Sequence, residues 1–220
     1  SLSHIAFIMD GNNRWSDKNK NSLFETYKLG ANNLFNLSNY LFTKEKINII
    51  SAFAFSVDNQ KRSKKIVSII NKLLNYFVKD ILVSDQINFK IKFFGDISYF
   101  SKNLQNQIFL LEKKNINSIN TLNIFLNYGG QEEIVDMINY FKGSKKTITK
   151  FQVNKYFKHK YSQPDLLIRT GGFQRISNFI LYQLSFTELF FVKKLWPDLN
   201  ITDLKKIIIK YQSIKRKFGG

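Results

Sequence analysis

DLLIRTGGFQRISNFILYQLSFTELFF, at residues 165–191, is the stretch on which the rest of the chain depends, because it sets arginines, glycines and a glutamate between apolar runs. Residues 165–168 are predicted to form a short buried strand. The Thr-Gly-Gly turn at 170–172 ends that strand, tolerates unusual backbone angles and leaves N–H groups free to meet an anion. Arg169 and Arg175 flank the turn, so the stretch predicts a phosphate site.

The second half of this stretch predicts a helix. Apolar residues recur at helical spacing within residues 176–185. Ser177 and Asn178 would then lie near the helix start, where free N–H donors and the helix dipole favour negative charge. We therefore expect these two residues to complete the anion site.

The composition bounds the class of protein. A chain of 220 residues that is 44% apolar can bury one sizeable core, so we expect a single domain over residues 1–220. The absence of Cys excludes disulfides, thiolate metal sites and a thiol nucleophile, which is compatible with a cytoplasmic protein. No apolar run has transmembrane length, and the first residues lack the order of a signal peptide.

The net charge of +18 is typical of proteins that bind nucleic acid, and it also favours loose attachment to the anionic inner face of a membrane. However, only five of the 34 basic residues are Arg, so the charge reflects a general bias towards Lys. Four of those five lie in segments that also hold glycines, asparagines and acids: Arg14, Arg62, Arg169 and Arg175. Because Arg suits bidentate contact with phosphate, these positions are more informative than the total charge.

Apolar runs alternate with amphipathic segments along the whole chain. Strands are predicted at residues 2–9, 47–55, 89–94, 122–126, 165–168 and 189–192. Helices are predicted at residues 23–41, 65–84, 104–117, 131–141 and 176–185, and from the N-cap Thr202 to about Lys217. Residues 143–160 are predicted to be a surface connection with a short helix near 151–157. This α/β order predicts a central, mainly parallel six-stranded sheet flanked by helices.

Polar clusters follow four of the predicted strands, at residues 10–14, 56–62, 127–130 and 169–177. Ligands of open α/β sheets bind outside the carboxyl ends of the strands, so we expect these clusters to meet in one pocket. One carboxylate among four arginines suits one or two polyanions bridged by Mg²⁺, since oxygen ligands fit a hard ion. The sequence lacks the motifs of a zinc site, a phosphate-binding P-loop and a dinucleotide site.

The predicted helices at 23–41 and 65–84 have wide apolar faces and adjoin strands that end at this pocket. Such faces commonly serve only to pack the core. Beside a polyanion site they also suit a ligand with a diphosphate head and a hydrocarbon tail.

Six motifs, in order, resemble those of the cis-prenyltransferase family, whose bacterial members are undecaprenyl diphosphate synthases: HIAFIMDGNNRW, AFSVDNQKR, NYGG, DLLIRTGGFQRISNF, ELFF and LWPD. The resemblance covers residues 4–220. It implies a homodimeric enzyme with a parallel sheet and a hydrophobic tunnel. Such an enzyme uses Mg²⁺ to extend farnesyl diphosphate with isopentenyl diphosphate units, making a long-chain polyprenyl diphosphate such as undecaprenyl diphosphate, the lipid carrier precursor for cell-wall synthesis.

The resemblance also implies roles for residues of the first two motifs. Asp10 matches the family's aspartate for Mg²⁺ and diphosphate. In the first motif, the residues matched to the allylic substrate are Gly11, Asn12, Arg14 and Trp15. In the second motif, Ser56 and Asn59 match residues near the reacting carbons, and Arg62 lies with them.

The later motifs are matched to the second substrate and to the metal. Arg169, Arg175 and Ser177 match the clamp for isopentenyl diphosphate. Glu188 matches a carboxylate that reaches the metal site from the dimer partner.

Several positions depart from the residues that are usual in the family. Phe173 stands where many members have an acid, and Gln174 replaces a frequent His. The other departures lie in the diphosphate motifs and in the C-terminal tail: Leu23, Tyr27, Asp58, Gln60 and Lys217. These changes remove groups that assist diphosphate binding, and the surplus lysines are available to compensate.

Two other functions remain open from the sequence. A non-catalytic subunit of the same family is one, although the joint retention of Asp10, Arg169, Arg175 and Glu188 favours an enzyme. A basic nucleic-acid-binding protein is the other, but the lysines are spread along the chain and the aromatic residues mostly have core spacing.

Overall fold

The sheet contains six strands, all parallel. A computed structural model describes residues 2–58, 64–83 and 87–214, without the side chains of residues 65, 66, 159 and 160. The strands are β1 His4–Ile8, β2 Ile49–Ser56, β3 Lys90–Phe94, β4 Thr121–Tyr128, β5 Leu166–Arg169 and β6 Glu188–Phe191. Their order is β3-β4-β2-β1-β5-β6, which confirms the predicted α/β class with a parallel sheet.

This order decides where a site can form. β1 lies between β2 and β5, so the segments that follow these three strands start side by side at one edge of the sheet. Ile8 at the end of β1 is in register with Phe53 of β2 and with Arg169 of β5. The predicted clusters after these three strands are therefore neighbours.

Helices cover both faces of the sheet. They are α1 Asn12–Asn19, α2 Leu23–Thr43, α3 Lys64–Val83, α4 Lys102–Lys113, α5 Gly130–Phe141, α6 Lys150–Lys160 and α7 Ile201–Ser213. Within the described parts of the chain, no helix combines the length and apolarity needed to cross a bilayer. Five predicted helices are present with shifted ends, and the predicted surface connection holds α6, which begins with a capping box of Thr149 and Gln152.

Alternate side chains of the strands point into two apolar cores. In β1, Ile5 and Phe7 pack into a large core with α2, α3, α4 and α7, whereas Ala6 and Ile8 pack into a smaller core on the opposite face. The period of two along a strand explains this alternation, and burial on both faces explains why the strands are apolar runs.

The predicted helix at residues 176–185 is wrong. Ser177, Asn178 and Ile180 have left-handed φ angles of 50°, 61° and 41°, which interrupt any right-handed helix. The segment instead covers the start of α5, because Gly130 N–H donates to the Asn178 carbonyl at 2.7 Å and Gln131 N–H donates to Asn178 Oδ1 at 2.9 Å. Its apolar side chains fill the smaller core, where Phe179 is fully buried, so their helical spacing has another cause.

Two helix starts also differ from the prediction. No helix was predicted in the polar cluster at residues 10–14, but α1 begins directly after Gly11, whose φ of 111° reverses the chain. Asn200, rather than Thr202, caps α7, since Asn200 Oδ1 accepts from Asp203 N–H at 3.1 Å and Asp203 Oδ2 accepts from Asn200 N–H at 3.1 Å.

A buried histidine at the opposite end of the sheet makes stability depend on pH. His4 is 1% exposed, and its ring nitrogens lie 2.8 Å from Ser51 Oγ and 3.1 Å from Ser162 Oγ. Burial lowers the pKa of His4 from 6.5 to about 4, against the opposing charge of Asp165. The unfolded chain binds the proton of His4 more readily than the folded protein does. The contribution of neutral His4 to folding stability is therefore fully present above pH 6.5 and is lost as the pH falls towards 4.

We expect the free energy of unfolding to fall by on the order of 2 kcal/mol more in the wild type than in His4→Gln between pH 7.5 and pH 5. Urea unfolding of both proteins at the two pH values measures this difference. Equal pH dependence in the two proteins would show that His4 does not titrate as its burial predicts.

Candidate active site

Asp10 lies at the carboxyl end of the central strand, and its backbone is held from two sides. The Asp10 carbonyl accepts from Trp196 N–H at 3.1 Å and from Thr170 Oγ1 at 2.7 Å. Asp10 N–H donates to the Ile8 carbonyl at 3.0 Å. These bonds fix where the carboxylate points without using its oxygens.

Arg169 connects that carboxylate to the segment after β5. Its Nη2 donates to Asp10 Oδ2 at 2.9 Å, and its Nη1 donates to Ser177 Oγ at 2.7 Å and to the Arg175 carbonyl. Arg169 is 4% exposed, so this ion pair is largely withdrawn from water on the arginine side. A planar guanidinium can serve several acceptors in fixed directions, which lets one side chain set the positions of Asp10 and Ser177 together.

Arg14 approaches the same carboxylate from the first turn of α1. Its Nη1 donates to the Gly171 carbonyl at 2.8 Å, and its Nη2 lies 3.4 Å from Asp10 Oδ1. Gly171 has a φ of 86°, and a Cβ there would lie 2.5 Å from Arg14 Nη2 and 3.1 Å from Asp10 Cγ. A glycine is therefore needed to bring the two arginine-bearing segments together.

The segment 195–198 packs against the loop formed by Asp10 and Gly11. A Cβ on Gly11 would lie 2.8 Å from Leu195 Cδ2, so the loop and the segment are in close contact. The Trp196 indole packs 5.5 Å from the ring of Phe7 and donates to the Gly30 carbonyl at 2.8 Å. The LWPD motif thus holds the start of α1 and the middle of α2 in place.

We name as the basic rim the residues Asp10, Arg14, Arg169, Arg175 and Ser177. Three guanidinium groups and one carboxylate line the cavity there, and two of the guanidinium groups, those of Arg14 and Arg169, contact the carboxylate, which leaves net positive charge for a polyanion. Among the described residues, no group of three or more His, Asp or Glu side chains could hold a metal by itself. Asp10 is 28% exposed, and a single such carboxylate with phosphate oxygens and waters is the usual way in which Mg²⁺ is held.

A cavity of about 480 Å³ opens at the basic rim and has an apolar interior. Its walls come from α2, α3, β2 and β4, and they include Leu34, Phe35, Leu74, Phe77, Ile81 and Ile124. The apolar faces of α2 and α3 therefore line a cavity as well as packing the core. A ligand with an anionic head and a hydrocarbon tail fits both parts of this space.

The structure brings most of the predicted site residues to this cavity. Eight of them line it: Asp10, Gly11, Asn12, Arg14, Ser56, Arg169, Arg175 and Ser177. Asn59 and Arg62 lie outside the described residues, as do Gln60 and Lys217. Trp15 is absent from the described lining, and its indole donates to Asp198 Oδ1 at 2.7 Å.

Glu188 lies away from the basic rim of its own chain. It is the first residue of β6 and is in register with Leu166, whereas Arg169 is in register with Phe191 at the other end of that strand. Three residues of strand span roughly 10 Å. A role for Glu188 in metal binding would therefore require the site of another copy of the chain.

The NYGG cluster supports the rim from behind instead of lining the cavity. Asn127 Nδ2 donates to the Asp96 carbonyl at 3.0 Å, and the Gly130 contact with Asn178 fixes the residue next to Ser177. Behind it, Glu133 Oε2 accepts from the hydroxyls of Tyr128 and Tyr161, each at 2.7 Å. Burial raises the pKa of both tyrosines, so this group is a packed structural network.

Sequence reasoning did not assign two side chains that line the cavity. Tyr27, at a position where the family commonly has His, donates to Asn13 Oδ1 at 2.8 Å and so positions the first turn of α1. Phe173 lies beneath the guanidinium groups of the rim. The sequence did show that both residues differ from those usual in the family. That difference indicated only the loss of a His and of an acid, and it did not indicate the contacts that Tyr27 and Phe173 make.

A basic rim with one carboxylate, placed above an apolar cavity at the carboxyl ends of a parallel sheet, suits an anion that carries a hydrocarbon tail. The family model described as putative undecaprenyl diphosphate synthase matches residues 8–219. The chain therefore belongs to the undecaprenyl diphosphate synthase family, the cis-prenyltransferases.

Individual relatives agree with this assignment. The chain is 38% identical over 221 residues to an isoprenyl transferase of Fusobacterium nucleatum, covering 99% of this chain and 95% of the relative. It is 34% identical over 236 residues to a farnesyl-diphosphate-specific ditrans,polycis-undecaprenyl-diphosphate synthase of Buchnera aphidicola, covering 100% and 92%. The crystal structure of lavandulyl diphosphate synthase from Lavandula x intermedia, in complex with dimethylallyl diphosphate, matches with a TM-score of 0.85 and 27% identity, covering 99% and 98%.

Proposed function

We propose that this protein condenses isopentenyl diphosphate onto farnesyl diphosphate to give a long-chain cis-polyprenyl diphosphate such as undecaprenyl diphosphate, the lipid carrier precursor for cell-wall synthesis. The observation that carries the proposal is the Asp10–Arg169 ion pair at the mouth of an apolar cavity. The relative from Buchnera aphidicola, which is named as specific for farnesyl diphosphate, supports this choice of primer.

The allylic diphosphate is assigned to the Asp10 side of the rim. Gly11 and Asn12 begin α1, whose free N–H groups and dipole favour an anion, and Arg14 adds a guanidinium from the same first turn. Asp10 would hold Mg²⁺ against the same diphosphate, and the ion would there offset the negative charge that develops on the leaving group. The hydrocarbon tail would lie in the cavity between α2 and α3.

The isopentenyl diphosphate is assigned to the other side of the rim. Arg169 and Ser177 are held together by a 2.7 Å hydrogen bond, and Arg175 lies in the same segment with its guanidinium exposed. Ser56 lines the cavity at the end of β2, where the reacting carbons of the two substrates would meet. Asn59 and Arg62 are proposed to act beside it, on the family resemblance alone.

The reaction needs charge stabilisation and orientation more than acid–base chemistry. The allylic C–O bond breaks, and its electron pair leaves with the diphosphate. The isopentenyl double bond then forms the new C–C bond to the allylic carbon, and one proton leaves the isopentenyl C2. Arg14, which is already oriented by the Gly171 carbonyl and by Asp10, can stabilise the departing allylic diphosphate without reorganising.

We further propose a homodimer in which Glu188 reaches the metal site of the partner subunit. Its strand, β6, is at the edge of the sheet, and Phe186 and Leu189 beside it are exposed apolar side chains. The cytoplasm is the proposed location, with loose attachment to the inner face of the membrane favoured by the net charge of +18 and by a lipid product. Nucleic acid is not a proposed partner.

Purified protein supplied with Mg²⁺, farnesyl diphosphate and radiolabelled isopentenyl diphosphate tests the activity. We expect labelled polyprenyl diphosphates, and their absence under conditions in which both substrates bind would instead indicate a non-catalytic subunit of the family.

Leu74→Trp tests whether the growing chain occupies the cavity. The larger ring would fill space between α2 and α3, so the longest products should become shorter while the first additions continue. Mass spectrometry of the products measures the shift. Lys79→Trp, which puts the same ring on the exposed face of α3, should leave product length unchanged. An identical product distribution for Leu74→Trp would place the chain elsewhere.

A further inference from the structure

One aromatic ring lies within cation–π distance of three arginines of the basic rim. The guanidinium carbons of Arg175, Arg14 and Arg169 are 4.3, 5.0 and 5.7 Å from the centroid of the Phe173 ring. Phe173 is 42% exposed and lines the cavity, so this cluster faces the space assigned to the substrates. A single side chain thus contacts the arginines of both diphosphate subsites.

The three arginines depend on this ring to different degrees. Arg169 is held by Asp10 and Ser177, and Arg14 is held by the Gly171 carbonyl and more weakly by Asp10. Arg175 is exposed, and among the contacts of the described residues its guanidinium has the Phe173 ring as its close partner. Arg175 is therefore the arginine whose position should change most if the ring is lost.

An aromatic ring holds cations without neutralising them. Guanidinium groups are attracted to the negative face of the ring by about 0.5–2 kcal/mol, depending on exposure. A carboxylate at the same position would also attract the arginines, but its charge would cancel one of theirs and repel a diphosphate. With Phe173 the rim keeps three positive charges against the single carboxylate of Asp10.

We propose that Phe173 is a positioning residue that holds Arg175 and Arg14 in place for diphosphate and couples the two subsites through one ring. The inference rests on the proposed function of the rim, which assigns Arg14 to the allylic diphosphate and Arg175 to isopentenyl diphosphate. Phe173 acts through the arginines and supplies order without charge cancellation. The sequence alone suggested that, without an acid at this position, a group that assists diphosphate binding was lost. By ordering the arginines, Phe173 supplies that assistance in another way.

The test compares Phe173→Leu, which keeps an apolar side chain but removes the ring, with Phe173→Trp, which restores a stronger aromatic face. Phe109→Leu is the matched control, because Phe109 is an exposed phenylalanine on α4 with its own cation–π contact to Lys113 at 4.0 Å. Titration calorimetry with inorganic pyrophosphate measures anion binding without turnover. Steady-state kinetics with isopentenyl diphosphate separates KM from kcat.

For Phe173→Leu we expect the Kd for pyrophosphate and the KM for isopentenyl diphosphate to rise about 2- to 30-fold, the equivalent of the cation–π energy. The kcat should change less than the KM, since the transition state still meets the same charges. Phe173→Trp should recover both constants to near wild-type values, and Phe109→Leu should change neither.

Two outcomes separate this inference from the proposed function. If Arg175→Ala weakens pyrophosphate binding but Phe173→Leu does not, the positioning role of the ring is wrong while the diphosphate site stands. If the wild-type protein does not bind pyrophosphate, the assignment of the rim to diphosphates fails and the role of Phe173 fails with it. Weaker binding in Phe173→Leu without recovery in Phe173→Trp would also overturn the proposal, because packing and not the aromatic face would then be responsible.

Discussion

Asp10→Asn is expected to lower turnover by about 10³-fold, because it removes the charge that would hold Mg²⁺ against the allylic diphosphate. The amide has the shape of the carboxylate and keeps an oxygen that can accept from Arg169 Nη2, so the loop should keep its position. Single-turnover assays with saturating farnesyl diphosphate measure the loss in the chemical step. Thermal unfolding should show little change.

The companion variant Asp10→Ala separates charge from structure. It leaves Arg169, which is 4% exposed, without its carboxylate, so the free energy of unfolding should fall by about 1–3 kcal/mol in addition to the loss of activity. Asp136→Asn, at an exposed position of α5, is the matched control and should alter neither quantity. Turnover near the wild-type value in Asp10→Asn would contradict the role of Asp10.

Arg169→Lys is expected to lower kcat/KM by about 10²-fold although it conserves the charge. The guanidinium donates simultaneously to Asp10, to Ser177 and to the Arg175 carbonyl, and a lysine ammonium at that distance cannot reach all three in the same directions. The loss should be shared between KM for isopentenyl diphosphate and kcat, because both the clamp and the orientation of Asp10 depend on this side chain.

Arg169→Met provides the comparison for that experiment. If positive charge alone matters at this position, Arg169→Lys should be nearly as active as the wild type and Arg169→Met should be inactive. If the planar geometry matters, both variants should be strongly impaired, with Lys recovering only a small part. The second pattern is the expected one.

The parallel sheet could be predicted because burial on both faces makes each strand an apolar run, and the intervening helices require parallel connections. The meeting of Asp10 with Arg169 followed from the same reasoning, since both come directly after predicted strands, at residues 2–9 and 165–168. What the sequence could not supply was the register, which sets Arg169 beside Ile8 and makes a direct ion pair possible.

Other features depended on backbone conformations that apolar spacing does not reveal. The spacing within residues 176–185 predicted a helix, but three left-handed residues turn that segment across the start of α5. The helix α1 was missed because it buries little, with Ser16 as its buried residue, so it has no apolar stripe to detect. In both cases tertiary contacts overrode or replaced the local signal.

Phe173 shows a different limit. Its position in the motif indicated a missing acid, and nothing in the linear order of residues shows that three guanidinium groups surround its ring. Such a cluster is visible only when α1 and the segments after β5 are placed together in space.

A crystal structure with Mg²⁺ and a non-hydrolysable thio analogue of farnesyl diphosphate is the most direct test that the basic rim and the apolar cavity form one site. We expect the diphosphate beside Asp10, Gly11 and Arg14, and the prenyl tail between α2 and α3 in contact with Leu34 and Leu74. Density for the diphosphate away from Asp10, or a tail lying on the outer surface while the cavity stays closed, would contradict this assignment.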